Sequence, residues 1–319
     1  MLKTRQLHYL VALADTLNFS RAAEACHVTQ STLSSGLKEL EQGLGVQLAE
    51  RTPHSVLMTP LGVEVAARAR DVLTRLHDIE ELARSQAGDG AGLLRLGTIP
   101  TVGPFLTPRA LPLIRQAFPK MKVFLREELT ADLLAGLVEG RLDLAVLALP
   151  HDLPPQVHAE VLFEDGYRLV CPRQHPLANL RSATAGDLHG RRLLLLERGH
   201  CLQRHALSSF PQAQLGEDES LAATSLPTLV AMVEEGLGLT LLPDLAVDAG
   251  ALKGHDVALA ALPDACPRRV ALVWRKSSSK GALYSRIGAC LRQARARVGE
   301  ATGAGREGGR EAVETAAPG

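Results

Sequence analysis

Residues 19–48 read FSRAAEACHVTQSTLSSGLKELEQGLGVQL, and their spacing decides the first part of the fold. Ala22, Ala23 and Cys26 share one helical face, His27-Val28-Thr29 interrupts it, and Leu33, Leu37, Leu40 and Leu44 resume at intervals of four, three and four. That is the pattern of two short helices meeting at an angle, a helix-turn-helix, with Cys26 on the packed face. The outer face of the second helix carries Gln30, Ser31, Thr32, Ser34, Ser35 and Lys38. These small or bidentate groups suit phosphate oxygens and base edges. A polar surface helix of no special function carries the same pattern, so the flanking segments have to decide.

Downstream, Arg51 to Met58 reads as a short hairpin, the wing of a winged helix. Thr59-Pro60 supplies a helix cap followed by proline at the first helical position. Residues 1–60 are therefore expected to form a winged helix-turn-helix DNA-binding domain and 61–87 a linker helix. In that helix Val65, Ala69, Val72, Leu76, Ile79 and Ala83 recur at alternating intervals of four and three. So long a seam wants a partner helix, which points to a dimer, although packing within one chain would leave the same pattern. Gly88-Asp89-Gly90-Ala91-Gly92 ends the helix.

Beyond it, short apolar runs alternate with amphipathic stretches, predicting an α/β domain with a mostly parallel sheet over residues 93–298. Its second cycle contains VLFEDGYRLVCP, LLLLE, TLVAMVEEGLG and LTLLP, and near its end come RRVALVW and a helix through about Arg297. Residues 299–319, rich in Gly, Ala and Glu without apolar period, read as a disordered tail. Ligands of open α/β sheets gather where strands end and helices begin. Thr101, Thr130 and Cys201 each follow a strand in this way. Taken singly, either threonine is an ordinary cap. The segment LLERGHCLQRHAL (195–207) puts Cys201 at a strand-to-helix corner, where unpaired amides and the helix dipole favour a thiolate and Arg198, His200, Arg204 and His205 could add positive charge. A small buried hydrophobe is the competing reading of the same cysteine.

Composition restricts the function classes. The 319 residues have formal net charge zero, and residues 1–60 balance Lys3, Arg5, Arg21, Lys38 and Arg51 against Asp15, Glu24, Glu39, Glu41 and Glu50. Nucleic-acid binding must then come from the placement of charge rather than its total. Five cysteines without a CxxC pair argue against a disulfide framework or zinc site, and no cofactor or metal is expected. The opening residues lack the apolar core of a signal peptide, so the chain is read as cytoplasmic, without a membrane partner.

The order of parts, with LHYLVALADTLNFSRAAEACHVTQSTLS, LGVQLAERT, GTIPTVGPFL, REELT, LERGHCL, ATSLPTLVAMVEEGLGLTLLP and PRRVALVW, resembles the LysR-type transcriptional regulators over about residues 2–297. IPTVGP and GHCL make the OxyR-like hydrogen peroxide sensors the nearer group within them. The resemblance implies a two-lobed, periplasmic-binding-protein-like α/β effector domain, with lobe I at 93–163 and 267–298 and lobe II at 164–266. It implies a peroxide-reacting Cys201, with Thr101, Thr130 and His200 positioning peroxide and Arg268 supporting the thiolate. It further implies a homodimer or homotetramer on an inverted-repeat site in double-stranded DNA that recruits RNA polymerase as an activator. DNA-contact candidates are Arg5, Gln30, Ser31, Thr32, Ser34, Lys38 and, in the wing, Arg51, while His54 stands where relatives carry a basic residue.

One departure matters. Relatives that switch by an internal disulfide carry a second cysteine nine residues after the first, and that position here is Phe210. Three mechanisms follow. Cys201 works alone through sulfenic acid or a thiol adduct; Cys266, on the face of Arg268 if the strand there is regular, substitutes as partner thiol; or a small ligand between the lobes replaces peroxide as signal. Outside the regulators, a thiol peroxidase would use the same cysteine but leave the helix-turn-helix without a role. A solute-binding protein would account for both lobes but calls for an export signal. The reading adopted is a DNA-binding regulator, not an enzyme.

Overall fold

The computed structural model describes residues 2–51, 56–85, 92–209 and 216–307. The chain divides into two compact units, residues 1–87 with 138–141 and residues 88–137 with 142–319.

In the first unit, α1 (Thr4–Thr16), α2 (Phe19–Ala25) and α3 (Gln30–Leu44) pack around Leu10, Leu13, Ala22, Ala23, Leu33, Leu37 and Leu40, all nearly inaccessible to solvent. Burying each leucine is worth about 1.5–3 kcal/mol relative to exposure. Both helices of the motif are capped as their sequence suggests. Asn18 Oδ1 accepts from the amides of Ser20 at 2.9 Å and Arg21 at 3.1 Å, and Thr29 Oγ1 accepts from the Thr32 amide at 3.3 Å. Gly36 allows α1 and α3 to approach, since a Cβ there would lie 2.7 Å from the Tyr9 ring. Two positions on the expected packed face are only partly covered. Leu44 is 38% exposed, because it occupies the last turn, which Gly45 closes in the left-handed conformation at φ 70°. Cys26 is half-buried at the C-cap of α2, and burial raises its thiol pKa.

Strands β1 (Ala49–Arg51) and β2 (Val56–Met58) pair antiparallel as a wing. Thr52 to Ser55, His54 included, and the Arg51 side chain lie outside the described residues. Thr59 Oγ1 accepts from the Gly62 amide at 2.9 Å and starts α4 (Pro60–Ser85). The anticipated seam of α4 splits along its length. Ala69 is buried in the unit's own core, whereas Val72, Leu76 and Ile79 are 45%, 37% and 63% exposed. The Ala83 side chain and the linker residues 88–91 lie outside the described residues.

The second unit runs β3 (Gly92–Thr98), α5 (Gly103–Ala117), β4 (Met121–Glu127), α6 (Thr130–Val138), β5 (Leu144–Leu149), β6 (Val157–Asp165), β7 (Tyr167–Pro172), α7 (Ala185–Leu188), β8 (Arg192–Leu196), α8 (Cys201–Ser208), β9 (Gly216–Ala223), α9 (Leu226–Glu234), β10 (Thr240–Pro243), α10 (Asp244–Asp248), β11 (Val257–Ala261), β12 (Arg268–Arg275) and α11 (Gly281–Glu307). Lobe I holds a five-stranded sheet in the order β4-β3-β5-β12-β6. Its central strand, β5, is buried at every residue, which explains its unbroken apolar sequence LAVLAL. Lobe II holds the sheet β10-β7-β11 and the pair β8-β9 over a core that includes Leu169, Val170, Leu194, Leu195, Val230 and Leu241.

The expectation of a mostly parallel sheet is corrected. β3 runs parallel to β4 and β5, and β8 to β9, but β12 is antiparallel to β5 and β6, and β7 to β10 and β11. β12 returns from lobe II and therefore enters the lobe I sheet against β5. The run VLFEDGYRLVCP breaks at Gly166, so that β6 serves lobe I and β7 serves lobe II. The crossing thus falls at Gly166 rather than between 163 and 164. A Cβ on Gly166 would sit 2.6 Å from Asp244 Oδ2. The tail expected from residue 299 is helical through Glu307, because extending a packed helix requires no new nucleation. Residues 308–319 lie outside the described residues. Among the described residues no helix is long and apolar enough to cross a membrane.

Candidate functional site around Cys201

β8 carries four buried leucines to the lobe surface, and the chain turns through Glu197-Arg198-Gly199 before α8 begins at Cys201. Gly199 adopts φ 109°, a conformation that other residues rarely enter, and a Cβ there would lie 3.1 Å from Leu129. His200 is the N-cap residue of α8, and its side chain makes no cap hydrogen bond. Cys201 is 9% exposed at the first helical position.

The pocket in front of the thiol joins three strand-to-helix corners. Ile99, Pro100 and Thr101 come from the end of β3, Leu129 and Thr130 from the end of β4, and His200 and Cys201 from the end of β8. It leaves no room for a free water-sized sphere. Thr101 does not cap a helix, since α5 starts at Gly103 with Val102 as its N-cap. Its Oγ1 instead accepts from Arg268 Nη1 at 2.9 Å, which leaves the hydroxyl proton free to donate. Thr130 opens α6, is 3% exposed, and has no hydrogen-bond partner on its Oγ1 among the described residues.

Arg268 opens β12 and is 1% exposed. Its Nε and Nη2 donate to Asp165 Oδ2 at 3.0 and 2.8 Å, and Nη2 also donates to the Thr101 carbonyl at 3.2 Å. Burial alone would lower the guanidinium pKa, but Asp165, with Tyr167 and Cys201, more than offsets this and holds it above the ordinary arginine value. Asp165 Oδ1 also accepts from the Leu245 amide at 2.8 Å, which ties the ion pair to the start of α10.

The source of positive charge differs from the one expected. Burial holds His200 below the ordinary imidazole range despite Glu197. Burial holds His205 below it too, with Arg268, Arg204 and His151 acting in the same sense against the Pro150 hydrogen bond. Both rings are therefore neutral at neutral pH. Arg198 is exposed, and Arg204 Nη2 donates to the Pro150 carbonyl at 3.1 Å. Arg268 is the cation whose charge reaches Cys201. Asp165 and Tyr167 escaped sequence reasoning, which assigned no role to any residue of the run VLFEDGYRLVCP. The acid that a buried arginine requires was the available signal.

Cys266 lies outside β12, which begins at Arg268, and is exposed, so the shared strand face expected for the two is not formed. Pro267 cannot donate to a ladder, and the regular strand starts after it. The Cys266 amide instead donates to the Ser209 carbonyl at 2.9 Å, beside the end of α8. Phe210 lies outside the described residues. Cys171 is buried in the lobe II core.

On the first unit, Gln30, Ser31, Thr32, Ser35 and Lys38 are exposed along α3, and Ser34 is half-buried. Ser20 Oγ donates to Gln30 Oε1 at 3.2 Å, which leaves the amide nitrogen of Gln30 outward. Arg5 stacks over the Tyr9 ring at 5.5 Å, beside a concave surface shared with Ser31, Thr32 and Ser35.

Comparison with known proteins agrees with this layout. Residues 4–63 match the bacterial regulatory helix-turn-helix protein, lysR family, and residues 87–296 match the LysR substrate binding domain. A hydrogen peroxide-inducible genes activator of Dickeya chrysanthemi is 40% identical over 289 residues, covering 91% of this chain and 94% of the relative. The HTH-type transcriptional regulator EstR of Acinetobacter baylyi is 42% identical over 275 residues, covering 86% and 91%. Among solved structures, a full-length OxyR of Pseudomonas aeruginosa with a cysteine-to-aspartate substitution superposes with a TM-score of 0.73 at 33% identity, over 92% of this chain and 95% of the other. With a helix-turn-helix and a two-lobed effector unit matched in order along its length, the chain belongs to the LysR family of transcriptional regulators, with relatives among the OxyR proteins.

Proposed function

We propose that this LysR-type regulator senses hydrogen peroxide through Cys201. The observation that carries the reading is the convergence, in one small pocket, of a thiol, the hydroxyls of Thr101 and Thr130 and a neutral His200, backed by a buried arginine. Cys201 opens α8, and Arg268 bonds Thr101 of the same pocket. The thiolate attacks one peroxide oxygen, the O–O bond breaks, and hydroxide leaves and takes up a proton, so that Cys201 becomes sulfenic acid. Thr101, Thr130 and His200 hold the two peroxide oxygens through hydrogen bonds. The protein acts as a stoichiometric sensor and not as a thiol peroxidase.

Pocket size supports peroxide over a metabolite. Small-molecule sites run to about 300–1,000 Å³, whereas this pocket as it stands leaves no room even for a water-sized sphere, so a local shift that admits peroxide would still exclude a metabolite. EstR, a relative of equal similarity whose name does not mention peroxide, motivates the alternative of a small ligand between the lobes. An added oxygen cannot be absorbed where no water fits, so it displaces α8. That helix is fastened to the loop between β5 and β6 by His205 Nε2, 2.9 Å from the Pro150 carbonyl, and by Arg204. Shifting it changes how the effector units assemble. The exposed Val72, Leu76 and Ile79 on α4 support a dimer, and the family expectation is a tetramer on an inverted repeat in cytoplasmic DNA, in contact with RNA polymerase. Gln30, Ser31, Thr32, Ser34 and Lys38, with Arg5 and Arg51, are the proposed DNA contacts.

Peptide mass spectrometry before and after stoichiometric peroxide tests the sensing step. Selective gain of one oxygen or a thiol adduct at Cys201 is expected. A Cys201–Cys266 linkage would replace the single-cysteine mechanism, and an inert Cys201 would move the assignment to the small-ligand regulator.

A further inference from the structure

Asp165 is a buried carboxylate to which the peroxide chemistry above gives no part. It ends β6 just before the Gly166 crossing and stands directly opposite Arg268 in the ladder of β12 and β6, so the two side chains share a face of the sheet. Neither side chain has solvent access. Asp165 Oδ2 accepts from Arg268 Nε at 3.0 Å and Nη2 at 2.8 Å, while Oδ1 accepts from the Leu245 amide at 2.8 Å. The carboxylate is therefore fixed by the start of α10 as well as by the arginine. A planar guanidinium held along its Nε and Nη2 edge has one course left for Nη1. That nitrogen donates to Thr101 Oγ1 at 2.9 Å, and Nη2 adds a bond to the Thr101 carbonyl at 3.2 Å.

We infer that Asp165 is a positioning residue for peroxide: through Arg268 it commits the Thr101 hydroxyl to donate into the Cys201 pocket. This rests on the peroxide-sensing reading and deepens it. Thr101 and Cys201 line the same pocket, so every link from Asp165 to that pocket is a hydrogen bond of 3.0 Å or less. A hydroxyl has one proton, and with Nη1 donating to its oxygen that proton must go elsewhere. Thr130 is under no such constraint, because its Oγ1 has no partner among the described residues. One fixed donor and one free hydroxyl match hydrogen peroxide, in which each oxygen both donates and accepts. The fixed donor also serves the reaction. Thiolate attack on one oxygen breaks the O–O bond and releases the other as hydroxide, which then takes up a proton, so negative charge grows on the departing oxygen. A donor already in place stabilises that charge without having to reorient. Without the Asp165 carboxylate the guanidinium loses the two bonds that fix its plane, and Thr101 is free to turn its proton away.

A double-mutant cycle in the full-length protein is the test, with oxidation of Cys201 by hydrogen peroxide timed by mass spectrometry and a sulfenate-trapping dione. Thr101→Val is expected to slow oxidation about tenfold, the range of one hydrogen bond to a charged group. Asp165→Asn, whose amide cannot accept from both Arg268 and the Leu245 amide, is expected to slow it by about three- to tenfold. In the Thr101→Val background the same change at Asp165 should alter the rate by less than about twofold, because the hydroxyl through which it acts is already gone. Asp165→Glu keeps the charge that the buried arginine requires but displaces the carboxylate, so it carries the same cycle where Asp165→Asn does not fold. Losses that multiply in the double variant would overturn the inference by showing a general structural role, and so would an Asp165 variant that reacts as fast as wild type. A wild-type Cys201 that takes up no oxygen would instead overturn the sensing reading, an outcome distinct from both.

Discussion

The outer face of α3 takes Gln30, Ser31, Thr32, Ser35 and Lys38 from nine consecutive positions, whereas the Cys201 pocket and the ion pair bonded to it draw on five separate segments, at 99–101, 129–130, 165, 200–201 and 268. The first surface is exposed and shaped by local caps and one apolar stripe. The second is buried and holds an ion pair with no solvent access on either side chain. The contrast teaches that the α3 surface can lose a residue and lose only that contact, while the Cys201 site transmits any loss through shared hydrogen bonds.

Arg268→Met offers the strongest test of that difference. It strands the buried Asp165 carboxylate and should cost about 3–5 kcal/mol in denaturant unfolding of the second unit, with the first unit unaffected. Replacing Asp165 as well by an apolar residue of similar size should recover much of the loss. On the other side, Gln30→Ala should weaken operator binding by about 1–3 kcal/mol in titrations, with unfolding of the protein unchanged. Equal loss on every DNA sequence would show a phosphate contact instead of a base contact.

Thr130→Val sharpens the comparison, since it removes a hydroxyl that has no partner. Stability should move by less than about 0.5 kcal/mol, while the rate of Cys201 oxidation should fall about tenfold, the effect of losing one positioning hydrogen bond. Thr29→Ala removes the cap of α3 and should cost about 1 kcal/mol of stability in the first unit. The smallest effect concerns pH. His200 and His205 are held below the ordinary imidazole range chiefly by burial, so below about pH 6.5 the unfolded chain takes up protons that the folded chain refuses. Stability is complete above that pH and declines as pH falls toward the folded-state values. Equal melting temperatures at pH 7.5 and 5.5 would break this account.

Local periodicity made the first unit readable. Leu33, Leu37 and Leu40 recur because the face they share is buried, and Asn18 and Thr29 cap where the apolar pattern starts. The three corners of the second unit were legible for the same reason, each being an apolar strand followed by Thr101, Thr130 or Cys201. Leu44 and the α4 seam were less so, because whether an apolar stripe is covered depends on what lies opposite.

By itself the sequence determined the helix-turn-helix, the run of α4, the alternation of strands and helices, and the placing of a thiol at a helix start. Tertiary structure alone decided that β6 and β7 part at Gly166, that β12 returns antiparallel, that Arg268 rather than the neighbouring histidines supplies the charge at Cys201, and that Asp165 and Tyr167 stand there with it. The physical reason is range. Helix periods, caps and turns are settled within a few residues, whereas a buried charge can be tolerated only where distant segments bring the atoms that satisfy it.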